Sequence, residues 1–231
     1  MKLPPGQHHV DGFPRFGAHL HQPPPELPAN PTIEIGGAVD QPLSLPLSRL
    51  AELPRRELTS DFHCVAGWSA TNLRWEGVAF ETLYRTIIEP SISPGTRITH
   101  VVFEGLDRYR SFVWLEDALA NDVLIAEQLA GRPLDRDHGA PARLVSPSQY
   151  GFISVKHLCR IELHTSEPAE SYHPATTTQI GLQLVKPHQR ARVWNEERHR
   201  YLPACFVRPI YRLLVLPIKH LSAAGSRETD P

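Results

Sequence analysis

The sequence predicts an α+β domain rich in β-structure. Apolar residues alternate at period two in several short segments, only one segment repeats at helical spacing, and no strand–helix–strand repeat links them. Thr32-Ile33-Glu34-Ile35 alternates as a first strand, and Leu47 to Leu53 is a short helix-like stretch stopped by Pro54. Glu57 to Val65 is the clearest strand, with Leu58, Ser60, Phe62 and Cys64 on one face and Thr59, Asp61 and His63 on the other. Cys64 is therefore displayed at a strand end. Phe80, Leu83, Tyr84, Ile87 and Ile88 repeat at helical spacing up to Pro90, an amphipathic helix expected to brace the Cys64 loop. Thr99 to Glu104 and Tyr109 to Leu115 read as strands around a turn holding Gly105 and Asp107. Asp122 to Ala130 has helical composition but runs into Gly131-Arg132-Pro133-Leu134, a turn between strands, so an irregular strand is expected there. Arg143 to Ser146 and Val155 to Leu163 complete the sheet.

Three regions follow from texture. Residues 1–31 form a Pro- and His-rich arm laid on the domain or partly disordered, 32–164 the domain proper, and 165–231 a basic extension. The extension is dense in Arg and His from Lys186 to Tyr211, with Arg190, Arg192, Arg198, Arg200, Arg208 and Arg212 interleaved among Val193, Trp194, Tyr201 and Phe206. It is expected either to steer an acidic partner or an anionic membrane surface, or to fold against the domain, where Glu196 and Glu197 form ion pairs with its arginines. Leu213 to Ile218 is too short to span a bilayer and is expected to dock on the core or lie at a membrane interface.

Lys and Arg number 24 against 25 Asp and Glu, so no overall field favours nucleic acid. Cys64, Cys159 and Cys205 lie far apart without a Cys-x-x-Cys pair, which argues against a zinc ribbon, an iron–sulfur cluster or a disulfide scaffold. Sparse cysteines and an N-terminus without an apolar signal core lead us to expect a cytoplasmic protein. His8-His9 and His19-x-His21 lack a carboxylate or Cys at ligand spacing and read as solvated histidines. Trp68, Trp75 and Trp114 are most simply core, with Trp68 also a candidate pocket wall.

Two segments carry the chemistry: Asp61-Phe62-His63-Cys64-Val65-Ala66-Gly67-Trp68-Ser69, and His138-Gly139-Ala140-Pro141-Ala142-Arg143 followed by Gly151-Phe152-Ile153-Ser154-Val155-Lys156. A free cysteine taken alone is most often a buried structural thiol. A thiol at a strand end combined with an Arg and a Lys able to grip an anion is what a thiolate-bound metal on a phosphorylated organic ligand requires.

On these residues, with Trp75-x-Gly77-Val78 and Val102-Phe103-Glu104, the chain resembles the sulfite oxidase superfamily of molybdopterin-dependent oxidoreductases over roughly residues 30 to 163. It is most similar to the small cofactor-only branch that includes the catalytic subunit of bacterial methionine-sulfoxide reductase. The resemblance implies a mainly β domain with peripheral helices holding one Mo-molybdopterin. Cys64 is then the metal ligand and catalytic residue, and Arg143 and Lys156 hold the pterin phosphate. Ser154, with the N–H groups of Ser154, Val155 and Lys156, adds donors in a nest-like turn, and His138 bonds the pterin or its phosphate. Phe13-Pro14-Arg15-Phe16-Gly17 is similar to the family's cofactor-contacting leader, which adds Arg15.

Departures narrow the expectation. Sulfite-oxidising members carry an Arg-rich sequence after the metal-binding Cys, where this chain has Val65-Ala66-Gly67-Trp68; they also carry a cation at the position of Ile153 and commonly an aromatic at that of His157. Sulfite is therefore disfavoured. No dimerisation or haem domain is expected in the extension, which implies an external electron-transfer partner. The expected function is oxygen-atom transfer to or from a small S- or N-oxide-type substrate. The alternatives are a non-catalytic cofactor-holding or partner-binding protein of the same fold, and a hydrolase with Cys64 as nucleophile beside His63 or His138, which no nucleophile elbow supports.

Overall fold

The computed structural model describes residues 3–16, 22–168, 190–193 and 204–227. Among these described residues, eleven strands form two sheets. In the first, β1 (His8–His9), β5 (Trp68–Ala79), β8 (Leu124–Leu129) and β10 (Arg143–Val145) follow in that order, with β4 (Arg55–His63) on β5 and β9 (Arg132–Pro133) on β8. The second runs β3 (Leu43–Pro46), β2 (Thr32–Gly37), β11 (Leu158–His164), β6 (His100–Gly105), β7 (Arg110–Trp114), and only the β2–β11 pair in it is parallel. This is the α+β, β-rich arrangement expected from the alternating segments.

The largest core draws on both sheets. Ile33, Ile35, Val101, Phe103, Ile161 and Leu163 come from the second, and Val78, Ile125 and Leu144 from the first. Period-two alternation put these side chains on common faces, and burying them is the main favourable term of the fold. A second cluster, around Trp75, Leu124, Ala126 and Val145, covers another part of the first sheet.

Several sequence expectations need correction. The longest strand, β5, was not anticipated, because its burial does not alternate and Asn72 at φ 57° interrupts it. The amphipathic segment after it is a single α turn, α1 (Phe80–Leu83), loosening to a π turn over Tyr84–Ile88 and a 3₁₀ turn over Glu89–Ser91. It follows β5 and buries Phe80, Leu83, Tyr84 and Ile88 in the main core, so it does not brace the Cys64 loop. A one-turn helix α2 (Leu115–Ala118) caps β7.

The C-terminal region holds a helix that Pro209 and Pro217 concealed, α3 (Ala204–Arg227). Val215 packs on Trp68 and Ala70 in a third cluster, while neighbouring leucines stay exposed, so docking accounts for only part of the apolar run. Arg190 and Arg192 are not a steering surface: both donate to the buried Asp117 carboxylate of α2, at 2.5–2.7 Å. Tyr150 N–H donates to Ala191 O at 2.9 Å and Tyr150 Oη to Val193 O at 2.9 Å, fixing this segment to the domain. Trp194, Glu196, Glu197, Arg198, Arg200 and Tyr201 lie outside the described residues.

Gly77 marks where β5 and β8 come closest, beside an irregularity in their register. A Cβ there would lie 2.0 Å from Ile125 O. Gly77→Ala is expected to separate these central strands and destabilise the domain by about 1–3 kcal/mol. An unchanged urea midpoint would contradict this close packing.

Candidate cofactor site

The cysteine end of the site is built from a turn. Strand β4 stops at His63, and Cys64 N–H donates to Trp68 O at 2.8 Å while Gly67 N–H donates back to Cys64 O at 2.9 Å, which Gly67 permits by its φ of 98°. The N-terminal arm locks this turn from outside. β1 runs parallel to Trp68-Ser69, and His8 N–H donates to Gly67 O at 2.9 Å. Gln7 Nε2 donates to Cys64 O at 3.0 Å, and Gln7 Oε1 accepts from Ser69 Oγ at 3.1 Å. Since the Ser69 hydroxyl is thus a donor, His63 Nδ1, 2.8 Å away, carries the proton that bonds it. Cys64 is a half-buried thiol among Val10, Phe13, Phe16, Phe62 and Trp68.

Phe13 packs in the same cluster as this thiol and also faces the cationic end. Its ring lies 5.0 Å from Phe62 and 5.6 Å from Trp75, both edge-on, and stacks on His138 at 5.1 Å. Beneath it Arg143 is only 1% exposed. The guanidinium lies 5.2 to 5.8 Å from the ring centroids of Trp75, Phe13 and Phe62, and donates to His138 O at 2.9 Å, Ser154 O at 3.1 Å and Leu144 O at 3.4 Å. Burial lowers its pKa, but three carbonyl acceptors and three aromatic faces keep it a cation.

Next to it is a cavity of about 210 Å³ lined by Arg15, Lys156, His157, Asp107, Asp137 and the Gln22-Pro23 stretch. Lys156 Nζ donates to Asp137 O at 2.7 Å. Burial, then Arg143 and Arg15, pulls Lys156 down to about 7, with Asp137 and Asp107 offsetting part of this. Burial likewise holds His157 near 4, so it is neutral, with Nδ1–H on Ala140 O at 2.6 Å. Gly139, at φ 106°, lets its loop approach Lys156 and Arg143; a Cβ would meet Lys156 Cβ at 3.0 Å and Arg143 Cβ at 3.2 Å. The loop also holds the cis Ala140-Pro141 peptide.

The expected residues are therefore gathered unevenly. Arg15 and Lys156 face the cavity, and Arg143 lies behind it. His138 holds the arm, with Nδ1 on Asp135 Oδ1 at 2.7 Å and Nε2 on Phe13 O at 2.6 Å. The nest expected at Ser154 to Lys156 is not free: Ser154 N–H donates to Gly151 O, Val155 N–H to Ile153 O, and Ser154 Oγ accepts from Ser146 N–H. His157, Asp107 and Asp137 were missed. Their only sequence signal was proximity to Lys156, to the 105–109 turn and to His138.

A bound pterin phosphate fits this chemistry. Arg143 is a buried cation and Lys156 a partly buried one, each held by carbonyl oxygens, and an anion would relieve their burial. The buried indole N–H groups of Trp68 and Trp75, whose rings both touch Phe13, find no acceptor. Among the described residues no three His, Cys, Asp or Glu side chains gather to hold a metal, so a metal at Cys64 must bring its other ligands with an organic group.

Comparison with known proteins agrees. Residues 20–173 match the family described as the oxidoreductase molybdopterin binding domain. The chain is 30% identical over 187 residues to the protein-methionine-sulfoxide reductase catalytic subunit of Xanthomonas axonopodis pv. citri, the match covering 73% of this chain and 56% of that protein. It is 27% identical over 219 residues to the subunit of the same name from Gluconobacter oxydans, covering 85% and 68%. The chain thus spans about half to two thirds of these relatives' length. A solved structure, the sulfane dehydrogenase SoxCD of Paracoccus pantotrophus, shares the fold with a TM-score of 0.54 at 24% identity, covering 62% of this chain and 40% of that one.

Lys156 carries a pH signature. Between about 7 and the ordinary lysine range the unfolded chain binds a proton that the folded chain lacks, so stability rises with pH across that window and the penalty is complete below it. At about pH 6, cofactor-free Lys156→Met is expected to be more stable than the parent by at least about 1.4 kcal/mol, the worth of one pKa unit. The gap should shrink as pH rises above about 7 towards the ordinary lysine range, and cofactor retention by the variant should fall. Coincident urea midpoints at both pH values would show that Lys156 is not a buried cation.

Proposed function

This chain belongs to the oxidoreductase molybdopterin binding domain family, and from that premise we propose that it is a molybdenum-dependent reductase of small S-oxides, methionine sulfoxide being the first candidate. The half-reaction consumes two electrons and two protons and converts the S-oxide to a thioether and water. The observation that carries the proposal is the half-buried thiol of Cys64 at a strand end, in a cluster whose Phe13 and Phe62 also face the Arg143 guanidinium, with Lys156 near that cation. The methionine-sulfoxide reductase subunits among its relatives supply the substrate class.

The chain's own residues have distinct parts. Cys64 supplies a soft anionic ligand, and the turn clamped by Gln7 and β1 sets where its sulfur points. Lys156 and Arg15, backed by Arg143, hold the phosphate, while neutral His157 offers a hydrogen-bond acceptor without adding charge. Phe13, Phe16, Phe62 and Trp68 exclude water around the sulfur, strengthening every electrostatic contact there. When bound, Mo-molybdopterin supplies a two-electron centre for exchanging the oxygen atom. Electrons come from an external donor.

One observation favours a second reading, a cofactor-holding protein without turnover: Phe13 packs both in the Cys64 cluster and against the Arg143 guanidinium. The two are separated by protein from a molybdopterin-competent host, assayed for molybdenum, for released pterin and for methionine sulfoxide reduction with a reduced viologen dye. Loaded protein that never turns over would leave only the second reading.

Cys64→Ser is expected to abolish turnover, by more than about 10³-fold, and to remove the sulfur-to-metal charge-transfer absorption, since a hydroxyl is a harder and poorer ligand. Pterin content should persist, because its phosphate is held elsewhere. Parental turnover in the serine protein would refute ligation by Cys64.

A further inference from the structure

The outer face of α3 has no role in the proposed chemistry. Ile210, Leu213, Leu214, Pro217 and Leu221 follow one another at helical spacing and make a single apolar stripe, with Leu216 alongside. Leu213 is 75%, Leu216 64% and Ile210 53% exposed. Val215 and Ser222, seven residues apart, mark the opposite side and dock on the domain. Val215 packs on Trp68 in the cluster that includes Cys64, and Ser222 O accepts from Arg15 at 2.8 Å. One side of this helix is thus part of the site's wall and the other is an apolar strip facing outward.

Charge decides what covers the strip. α3 contains Arg208, Arg212, Lys219 and Arg227 and no acidic residue. Arg212 and Lys219 lie beside the stripe, and among the described residues His220 is the polar group within it. A second copy of this chain would bring the same cations against their like, so self-association is opposed. A surface offering apolar depth beneath anionic headgroups satisfies both features together. We infer that α3 is an interfacial anchor that lies on an anionic lipid surface, Ile210, Leu213, Leu214, Leu216 and Leu221 entering the acyl boundary while Arg212 and Lys219 reach the headgroups. None of the described helices is long and apolar enough to cross a membrane, so this association is peripheral and reversible. Its consequence is geometric: the anchor presents the Cys64 side of the domain to the membrane surface. The inference does not depend on the catalytic reading, since binding is measured without turnover.

The test is flotation of the full chain with phosphatidylcholine vesicles, with and without phosphatidylglycerol, at low and high salt. Binding is expected with the anionic vesicles only, and should weaken on the order of tenfold at high salt, where surface charge is screened. Leu213→Glu with Leu216→Glu should abolish binding, and Arg212→Gln with Lys219→Gln should weaken it on the order of tenfold. Leu213, Leu216 and Arg212 are exposed and Lys219 is half-buried, so thermal midpoints should stay close to the parent's, and folding is checked in the same samples. The anchor is overturned if folded parent protein ignores anionic vesicles, or if the leucine variant binds as well as the parent. A stable oligomer dispersed by the leucine substitutions, without vesicle binding, would overturn it too and assign the strip to a second copy.

Discussion

The guanidinium of Arg143 has almost no contact with water, and a charge so placed is tolerable only if its surroundings replace hydration. The structure around it is that replacement. The loop through Gly139 turns the carbonyl oxygen of His138 onto it, Leu144 and Ser154 add theirs from β10 and the 151–156 segment, and Phe13, Phe62 and Trp75 offer the negative faces of their rings. This constraint explains why the 138–144 loop, the end of β4, the middle of β5 and the N-terminal arm meet at one point. It also explains the depressed Lys156, since a second cation beside the first is burdened by it.

β5 is the element that relates this point to the rest of the fold. Its start, Trp68 and Ser69, pairs with β1 and forms the wall by Cys64, while its end, Val78 and Ala79, pairs with β8 and reaches the main core. One strand therefore fixes the thiol turn to the most stable part of the molecule. A site held on strands rather than on free loops keeps its geometry without being filled.

The two ends of the chain converge on this site. Arg15 donates to Ser222 O, 207 residues away in sequence, and also pairs with Asp137 at the cavity. Gln7 and Val215 reach the same wall near Cys64 from opposite termini. Neither terminus is a simple appendage to a finished domain, because each contributes side chains to the surroundings of the thiol.

The sequence by itself determined the β-rich class, most strand positions, the family, and the two motif segments around Cys64 and Arg143, because alternation and punctuation are local properties of the chain. It was misled where long-range contacts override local pattern. β5 lacks alternation because different neighbours bury its successive parts, and α3 holds two prolines within an otherwise apolar helical run. Tertiary structure alone decided that Phe13 packs in the Cys64 cluster and against Arg143, that the N–H groups of Ser154 and Val155 are spent inside their turn, and that Arg190 and Arg192 clamp Asp117. Residue type says which charges and rings a chain possesses. Which of them must face one another follows from the cost of burying them, and only the folded chain sets that cost.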